Sequence, residues 1–241
     1  MGEHRKGCLL RLGVTRVTCF IRHAWRWLKR ASLRHSPEVR RLLAQRANLR
    51  VAQIGGVTST PFDTFPHCVR FNTHDWRSGE DGRDGGQYIK LEGLVLPVTD
   101  SSFDVVVSRH VLEHIGDPIA ALLEWSRVLR RGGYLYLSLP DRPKTPETAR
   151  ALTPLAHLVR DHVAQVPPLD PGHKAEIETT GVGIIEHDRY ELPYVHFHTF
   201  EKDSAEALLR HCGFEIVPLT LSDWELFHRQ PWDLILLARK P

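Results

Sequence analysis

Short apolar runs alternate with amphipathic stretches from residue 49 to the end of the chain. Leu49–Ile54, Cys68–Phe71, Tyr88–Leu91, Phe103–Val107 and Tyr134–Leu139 each have the length of a strand, and 103–107 is unbroken, as expected of a parallel strand buried on both faces. Pro118–Arg130 carries apolar residues at helical spacing and is followed by Gly132-Gly133. Thr199–Cys212 reads as a helix capped by Thr199 and ended by Gly213. Phe214–Leu221 and Trp232–Ala238 read as two closing strands with no helix between them, and so as an antiparallel pair at one edge. Strands alternating with helices imply right-handed crossovers. The expected fold is α/β, a Rossmann-like doubly wound, mostly parallel, seven-stranded sheet with an antiparallel last strand and an N-terminal helical extension.

The extension occupies residues 1–48 and the main domain residues 49–241. Within 8–48 the pattern gives one or two helices, the second with Ser36 as cap and Pro37 in its first turn. An insertion, residues 142–198, leaves the end of the fifth strand; it contains one helical stretch (Thr145 to Val166), a Pro/Gly segment and a histidine-rich stretch. Ligands of such sheets bind beyond the carboxyl ends of the strands, so the insertion should wall the acceptor side of a site.

Charge divides the chain unevenly. Residues 1–50 hold 13 Lys+Arg against 2 acids, whereas the remainder holds 19 against 27. The basic character belongs to the extension, and specific nucleic-acid binding by the main body is not expected. Arginines interleaved with Trp25 and Trp27 suit contact of residues 8–35 with an anionic membrane surface, and equally a lid on the main domain. Arg11, Arg16, Arg22 and Arg26 break the apolar stretch Cys8–Leu28, so neither a membrane span nor a secretory core is expected there. Four scattered cysteines without a CxxC pair argue for a reducing compartment, and the expected location is cytoplasmic, peripheral at the membrane if the helix touches lipid.

The stretch LPVTDSSFDVVVSRHVLEHIGDPIAALLEWSRVLRRGGYLYLSLPD, residues 96–141, resembles the class I S-adenosylmethionine-dependent methyltransferases of the LPF-x-D-x-SFD, HVLEH and RVLKPGG group. The resemblance implies S-adenosyl-L-methionine as cofactor and a methyl-transfer activity. It places the amino-acid end of the cofactor on the first strand and its loop, with Gln53 at the usual acidic position and Gly55 and Gly56 in the glycine turn. Val57 stands where a second glycine is common and the third glycine is absent. Asp75, with Asn72, falls where an acid accepts from the ribose hydroxyls, and Glu92, Gly93 and Leu94 fall where the adenine is held. Ser108, Arg109 and His110 follow the fourth strand and would face the reactive methyl group.

Two histidine groups remain. His110, Glu113 and His114 spell HxxEH, a zinc-peptidase pattern elsewhere, but here the pattern follows a buried strand and precedes Gly116-Asp117-Pro118, so no metal ligand is assigned to it. Alternation on an extended chain would put His196 and His198 on one face. As a pair they suit accepting a proton from a hydroxyl acceptor, holding a metal with a carboxylate, or bonding adjoining loops. His196, His198 and His110 are the catalytic candidates; Asp141, Arg142, Arg160, Asp161 and His162 are candidates for a polar acceptor. The expected reaction is O-methylation of a sugar or small-molecule acceptor, a glycan included. Rival readings are an inactive methyltransferase-like binding subunit and a metal-dependent enzyme using the histidine clusters.

Overall fold

In the computed structural model the residues described are 35–55, 62, 65–72, 87–90, 94–167, 170–180, 182, 184–185, 194–227 and 230–241. The first helix of the extension, with Trp25 and Trp27, lies outside them, as do Gly56, Val57, Asp75, Glu92 and Gly93.

The strands are β1 (Arg50–Ile54), β2 (His67–Asn72), β3 (Gln87–Lys90), β4 (Phe103–Arg109) and β5 (Leu129–Pro140), a two-stranded ribbon β6 (Ile184–Ile185) and β7 (Tyr194–Val195), then β8 (Glu215–Val217) and β9 (Asp233–Arg239). The helices are α1 (Pro37–Gln45), α2 (Pro118–Val128), α3 (Leu155–Val163), α4 (Pro171–Thr180), α5 (Lys202–His211) and α6 (Leu221–Phe227). One seven-stranded sheet forms in the order β3-β2-β1-β4-β5-β9-β8. Neighbours from β3 through β5 run parallel, and β9 runs antiparallel to both β5 and β8.

Side chains alternate between the two faces of the sheet, and each face has its own core. Ala52, Ile54, Val106, Leu135, Leu137 and Leu236 pack under α2, α3 and α5, where Trp125, Leu158 and Leu208 are buried. Val51, Val105, Val107, Tyr136 and Leu237 pack on the other face with Val39 and Leu42 of α1, Phe62, and Phe227 of α6. The last helix of the basic extension is therefore a layer of the fold. Ser36 caps it, its hydroxyl accepting from the Val39 amide (3.3 Å), and Pro37 opens its first turn.

Several expected boundaries move. A seven-residue helix, α6, separates β8 from β9, where none was expected; the two strands do form an antiparallel pair at one edge of the sheet, with β9 next to β5 and β8 outermost. Helix α2 ends at Val128 and β5 begins at once; Gly132 has φ +73°, and a Cβ on Gly133 would lie 2.8 Å from the Arg130 carbonyl oxygen. The glycines serve a bend within the strand and do not end the helix. Helix α5 begins at Lys202, where the Ser204 hydroxyl accepts from the Glu201 amide (3.0 Å). Thr199 is engaged elsewhere: its amide donates to Thr153 Oγ1 (3.0 Å) and its own Oγ1 accepts from the Thr153 amide (3.2 Å). In the insertion only Leu155–Val163 of the expected 145–166 stretch is α-helical, and the Pro/Gly segment opens a second helix, α4.

One buried carboxylate joins α6 to α1. Asp223 is fully buried; it accepts from the Ser36 amide (3.0 Å), the Thr220 amide (2.9 Å) and His35 Nδ1 (2.8 Å). Burial opposes its ionisation, but the donors of Thr220, Ser36 and His35 outweigh that and hold its pKa below 3.8. The stabilisation is therefore present above that value and lost as pH falls through the folded-state pKa. Asp223→Ala should cost about 2–4 kcal/mol, since it strands buried donors. Urea titrations of wild type and variant should show that gap at pH 7 and a shrinking gap below pH 4; a constant gap would mean that the charge plays no part.

Candidate active site

The carboxyl ends of β1, β2 and β4 meet at one rim. Ile54 is in register with Phe71 on one side and Ser108 on the other. Immediately beyond stands Gly55, at φ +78°, its amide donating to the Phe71 carbonyl (2.7 Å). An L side chain rarely adopts that conformation, and a Cβ there would collide with Val111 Cγ2. Gln53 is buried on the α1 side, its Oε1 accepting from Arg70 Nε (3.5 Å). Asn72 ends β2, and Leu94 packs against the α2-side core. Gly56, Asp75, Glu92 and Gly93, expected to touch the cofactor, lie outside the described residues.

At the end of β4 the chain passes from apolar to charged within two residues. The buried Ser108 hydroxyl has no hydrogen-bond partner among the described residues. Arg109 turns its guanidinium to Asp233, Nη2 lying 3.3 Å from Oδ2. His110 has φ +51°, uncommon for a residue with a side chain and a mark of local strain. Its Nε2 lies 2.8 Å from Asp233 Oδ1 and its Nδ1 3.3 Å from Glu113 Oε1. Asp233 is fully buried and also accepts from the Gln230 amide (3.0 Å). Sequence reasoning missed Asp233. The only sign of it was a carboxylate opening an otherwise apolar terminal strand, WDLILLA.

Two cations and two carboxylates thus share this corner. Burial alone would depress the His110 pKa, but its hydrogen bond to Asp233 and the Glu113 carboxylate beside it outweigh burial and raise it to about 9. Burial would raise the Glu113 carboxyl, yet His110, with the nearby His114 and His196, brings it down to about 2. Near neutrality His110 is an imidazolium and has no lone pair with which to take a proton.

His196 and His198 part company. Residues 196–199 follow the two-residue strand β7 without continuing it. His196 Nδ1 lies 2.8 Å from Glu147 Oε1, and its ring stands edge-on to His114, with centroids 4.6 Å apart. Arg150 completes that group, donating to Glu147 Oε1 (3.2 Å) and to the His196 carbonyl (2.7 Å). His198 lies instead beside His157 and His173, its Nε2 donating to the Gly116 carbonyl (3.3 Å). Burial, with His173 and His157 alongside, pushes its pKa down to about 3. Burial likewise lowers His114 to about 4. HxxEH forms no long helix: Leu112–His114 is a single 3₁₀ turn.

The polar residues read as acceptor contacts have internal partners. Arg142 Nε donates to Glu201 Oε1 (2.8 Å), Lys144 pairs with Asp141 (2.8 Å), and His162 Nδ1 meets the Asp117 carboxylate (2.9 Å). Asp161 and Arg160 lie by His157, at 3.1 and 3.4 Å.

The charge on His110 is directly measurable. Its contribution to stability should be complete below its ordinary pKa of 6.5 and lost as pH rises through about 9. Imidazole NMR should place the His110 titration near 9 in the wild type and well below that in Asp233→Asn. A wild-type titration near 6.5 would refute the charged quartet.

The family model described as "Methyltransferase domain" matches residues 51–137, which run from β1 through most of β5. An "Uncharacterized methyltransferase" of Mycobacterium sp. (strain JLS) is 39% identical over 70 residues, covering 29% of this chain and 28% of that protein. A "Probable S-adenosylmethionine-dependent methyltransferase" of Mycobacterium tuberculosis (strain ATCC 25618 / H37Rv) is 47% identical over 47 residues, 20% of this chain and 17% of that one. The chain thus spans less than a third of the length of these relatives. A crystal structure of an S-adenosylmethionine-dependent methyltransferase from Mesorhizobium loti is 19% identical with a TM-score of 0.48, covering 84% of this chain and 96% of that chain. The strand order, the rim at Gly55 and the matched segment belong together: residues 51–137 are a class I S-adenosylmethionine-dependent methyltransferase domain.

Proposed function

We propose that this chain transfers a methyl group from S-adenosylmethionine to a hydroxyl oxygen of a sugar or other small acceptor, glycans included. The observation that carries the acceptor side is the His196–Glu147 pair, 2.8 Å apart in the insertion that leaves β5.

The rim fits the cofactor. Gly55 gives a Cβ-free turn beyond β1, and Ser108 brings to the end of β4 a buried hydroxyl with no partner among the described residues. Gln53, Gly55 and Gly56 would hold its amino-acid end, Asn72 and Asp75 the ribose, Glu92, Gly93 and Leu94 the adenine. When bound, S-adenosylmethionine supplies a methyl carbon on a good sulfonium leaving group, so the protein's contribution is alignment and exclusion of water. Arg109, His110, Glu113 and Asp233 neutralise one another, which gives the end of β4 a fixed shape without a net charge beside a cationic cofactor.

A hydroxyl nucleophile must give up its proton as it attacks. His110 is protonated and His198 is sealed in the interior at 1% exposure, so His196 is the acceptor of choice. Glu147 bonded at Nδ1 orients the ring and favours the proton there, leaving Nε2 basic. For residues 8–35 the proposed partner is an anionic lipid surface, on the strength of their arginines and tryptophans.

Calorimetry with S-adenosylhomocysteine tests the cofactor assignment: Asp75→Ala and Glu92→Ala should each weaken binding by about 1–3 kcal/mol. Wild-type protein that binds neither form of the cofactor would favour a non-catalytic subunit. His196→Gln should lower kcat by about 10²–10⁴ with cofactor affinity intact, read as S-adenosylhomocysteine release over a panel of hydroxyl acceptors. An unchanged kcat would remove His196 from the mechanism.

A further inference from the structure

We infer that His157, Asp161, His173 and His198 form a binding site for a divalent transition metal, best matched to zinc. One donor atom from each of the four lies within 4.8 Å of the others. Three of the separations are short: His157 Nε2 to His173 Nε2 is 3.1 Å, His157 Nε2 to Asp161 Oδ2 3.1 Å, and His173 Nε2 to Asp161 Oδ2 3.5 Å. A tetrahedral ion with arms of about 2.0–2.1 Å separates its ligands by about 3.3 Å, so these three atoms already form one face of such a tetrahedron. His198, its ring centroid 5.0 Å from that of His173, supplies the fourth corner.

The protonation states forced by the surroundings favour a cation here. His198 Nε2 faces the Gly116 carbonyl, which can only accept, so the proton of the neutral ring sits on Nε2. Its Nδ1 is then a bare lone pair, and this buried atom has no hydrogen-bond partner among the described residues. His173 Nδ1 meets the Asp170 carboxylate at 2.9 Å, which places its proton there and leaves Nε2 as another lone pair. Asp161 Oδ2 is buried with no hydrogen bond among the described residues, despite two imidazole nitrogens within 3.5 Å. A proton on His157 Nε2 could serve only one of these acceptors. Converging lone pairs around a buried carboxylate, two of them on rings steered by a carboxylate and a carbonyl behind, are the arrangement metal-binding histidines adopt. Arg160 Nη2 lies 3.4 Å from His157 Nδ1 on the exposed side and can only donate, so the neutral His157 ring carries its proton on Nε2, and an ion would bind there by displacing that proton.

The four ligands come from three places in the chain. His157 and Asp161 stand one turn apart on α3, His173 lies in the first turn of α4, and His198 lies on the returning segment. A bound ion would cross-link the insertion to itself and to the loop before α2, through Gly116. The site stands apart from the methyl-transfer reading and does not depend on it.

The test uses the full chain, stripped with a chelator and reloaded with zinc alone. Elemental analysis should find one zinc per chain and a higher melting temperature than in the stripped form. Asp161→Asn and His198→Gln should each abolish stoichiometric uptake, and Asp170→Asn, at the carboxylate that holds both the ring and the amide of His173, should weaken affinity by about 10–100-fold. Failure of the wild type to take up zinc would overturn the assignment. So would undiminished uptake by folded Asp161→Asn and His198→Gln, which would move the ion to Glu113, His114 and His196, the other described group with converging donors. Should both variants fail to fold, cobalt(II) in the wild type decides: an intense visible band of a tetrahedral nitrogen–oxygen site supports the proposal, and a weak octahedral spectrum or none refutes it.

Discussion

A single carboxylate without access to water, Asp233, organises the rim of the sheet beyond β4. Strand β4 is buried on both sides, so whatever follows it must be neutralised on the spot. Asp233 does this for Arg109 and His110 from the neighbouring end of β9. His110 passes the constraint to Glu113, whose carbonyl in turn accepts from the amides of Phe197 (2.7 Å) and His198 (3.3 Å). A line of polar contacts therefore runs from the last strand through the turn after β4 to the segment carrying both candidate histidines. The placement of His196 and His198 follows from it.

The degree to which the fold was legible depended on how local each signal was. The run Phe103–Val107 identified a doubly buried strand by itself, and Ser36-Pro37 fixed the start of α1. Helix α6 was hidden because LSDWELF spans less than two turns and joins a stretch that reads as strand. Helix α4, PGHKAEIETT, has no clear apolar face and opens on residues that usually mark a turn. Thr199 looked like a cap because threonine is among the residues favoured at helix N-termini, but its partner, Thr153, lies 46 residues away.

The site was less legible than the fold, and the reason is distance along the chain. The charge of His110 is set by Asp233, 123 residues later, and no local pattern announces such a pairing. The shared face expected of His196 and His198 presupposed an extended strand; the ladder stops at Val195, and beyond it two-residue alternation has no hold on the side chains. The resemblance put Gly55 in a glycine turn at the cofactor, and the structure adds a second demand, because Val111 already fills the space where a side chain would start. The glycine is required by the protein's own packing even before a ligand arrives.

The reciprocal pair of threonines, each hydroxyl taking the other's amide at 3.0–3.2 Å, has a consequence for how this protein diversifies. It clasps both ends of the excursion between residues 153 and 199 at the base. Beyond the clasp the excursion is still tied to the main domain: Leu158 is buried in the α2-side core, His162 meets Asp117, and the Glu113 carbonyl accepts from the amides of Phe197 and His198. A change of sequence within the excursion is therefore free only where it keeps those anchors.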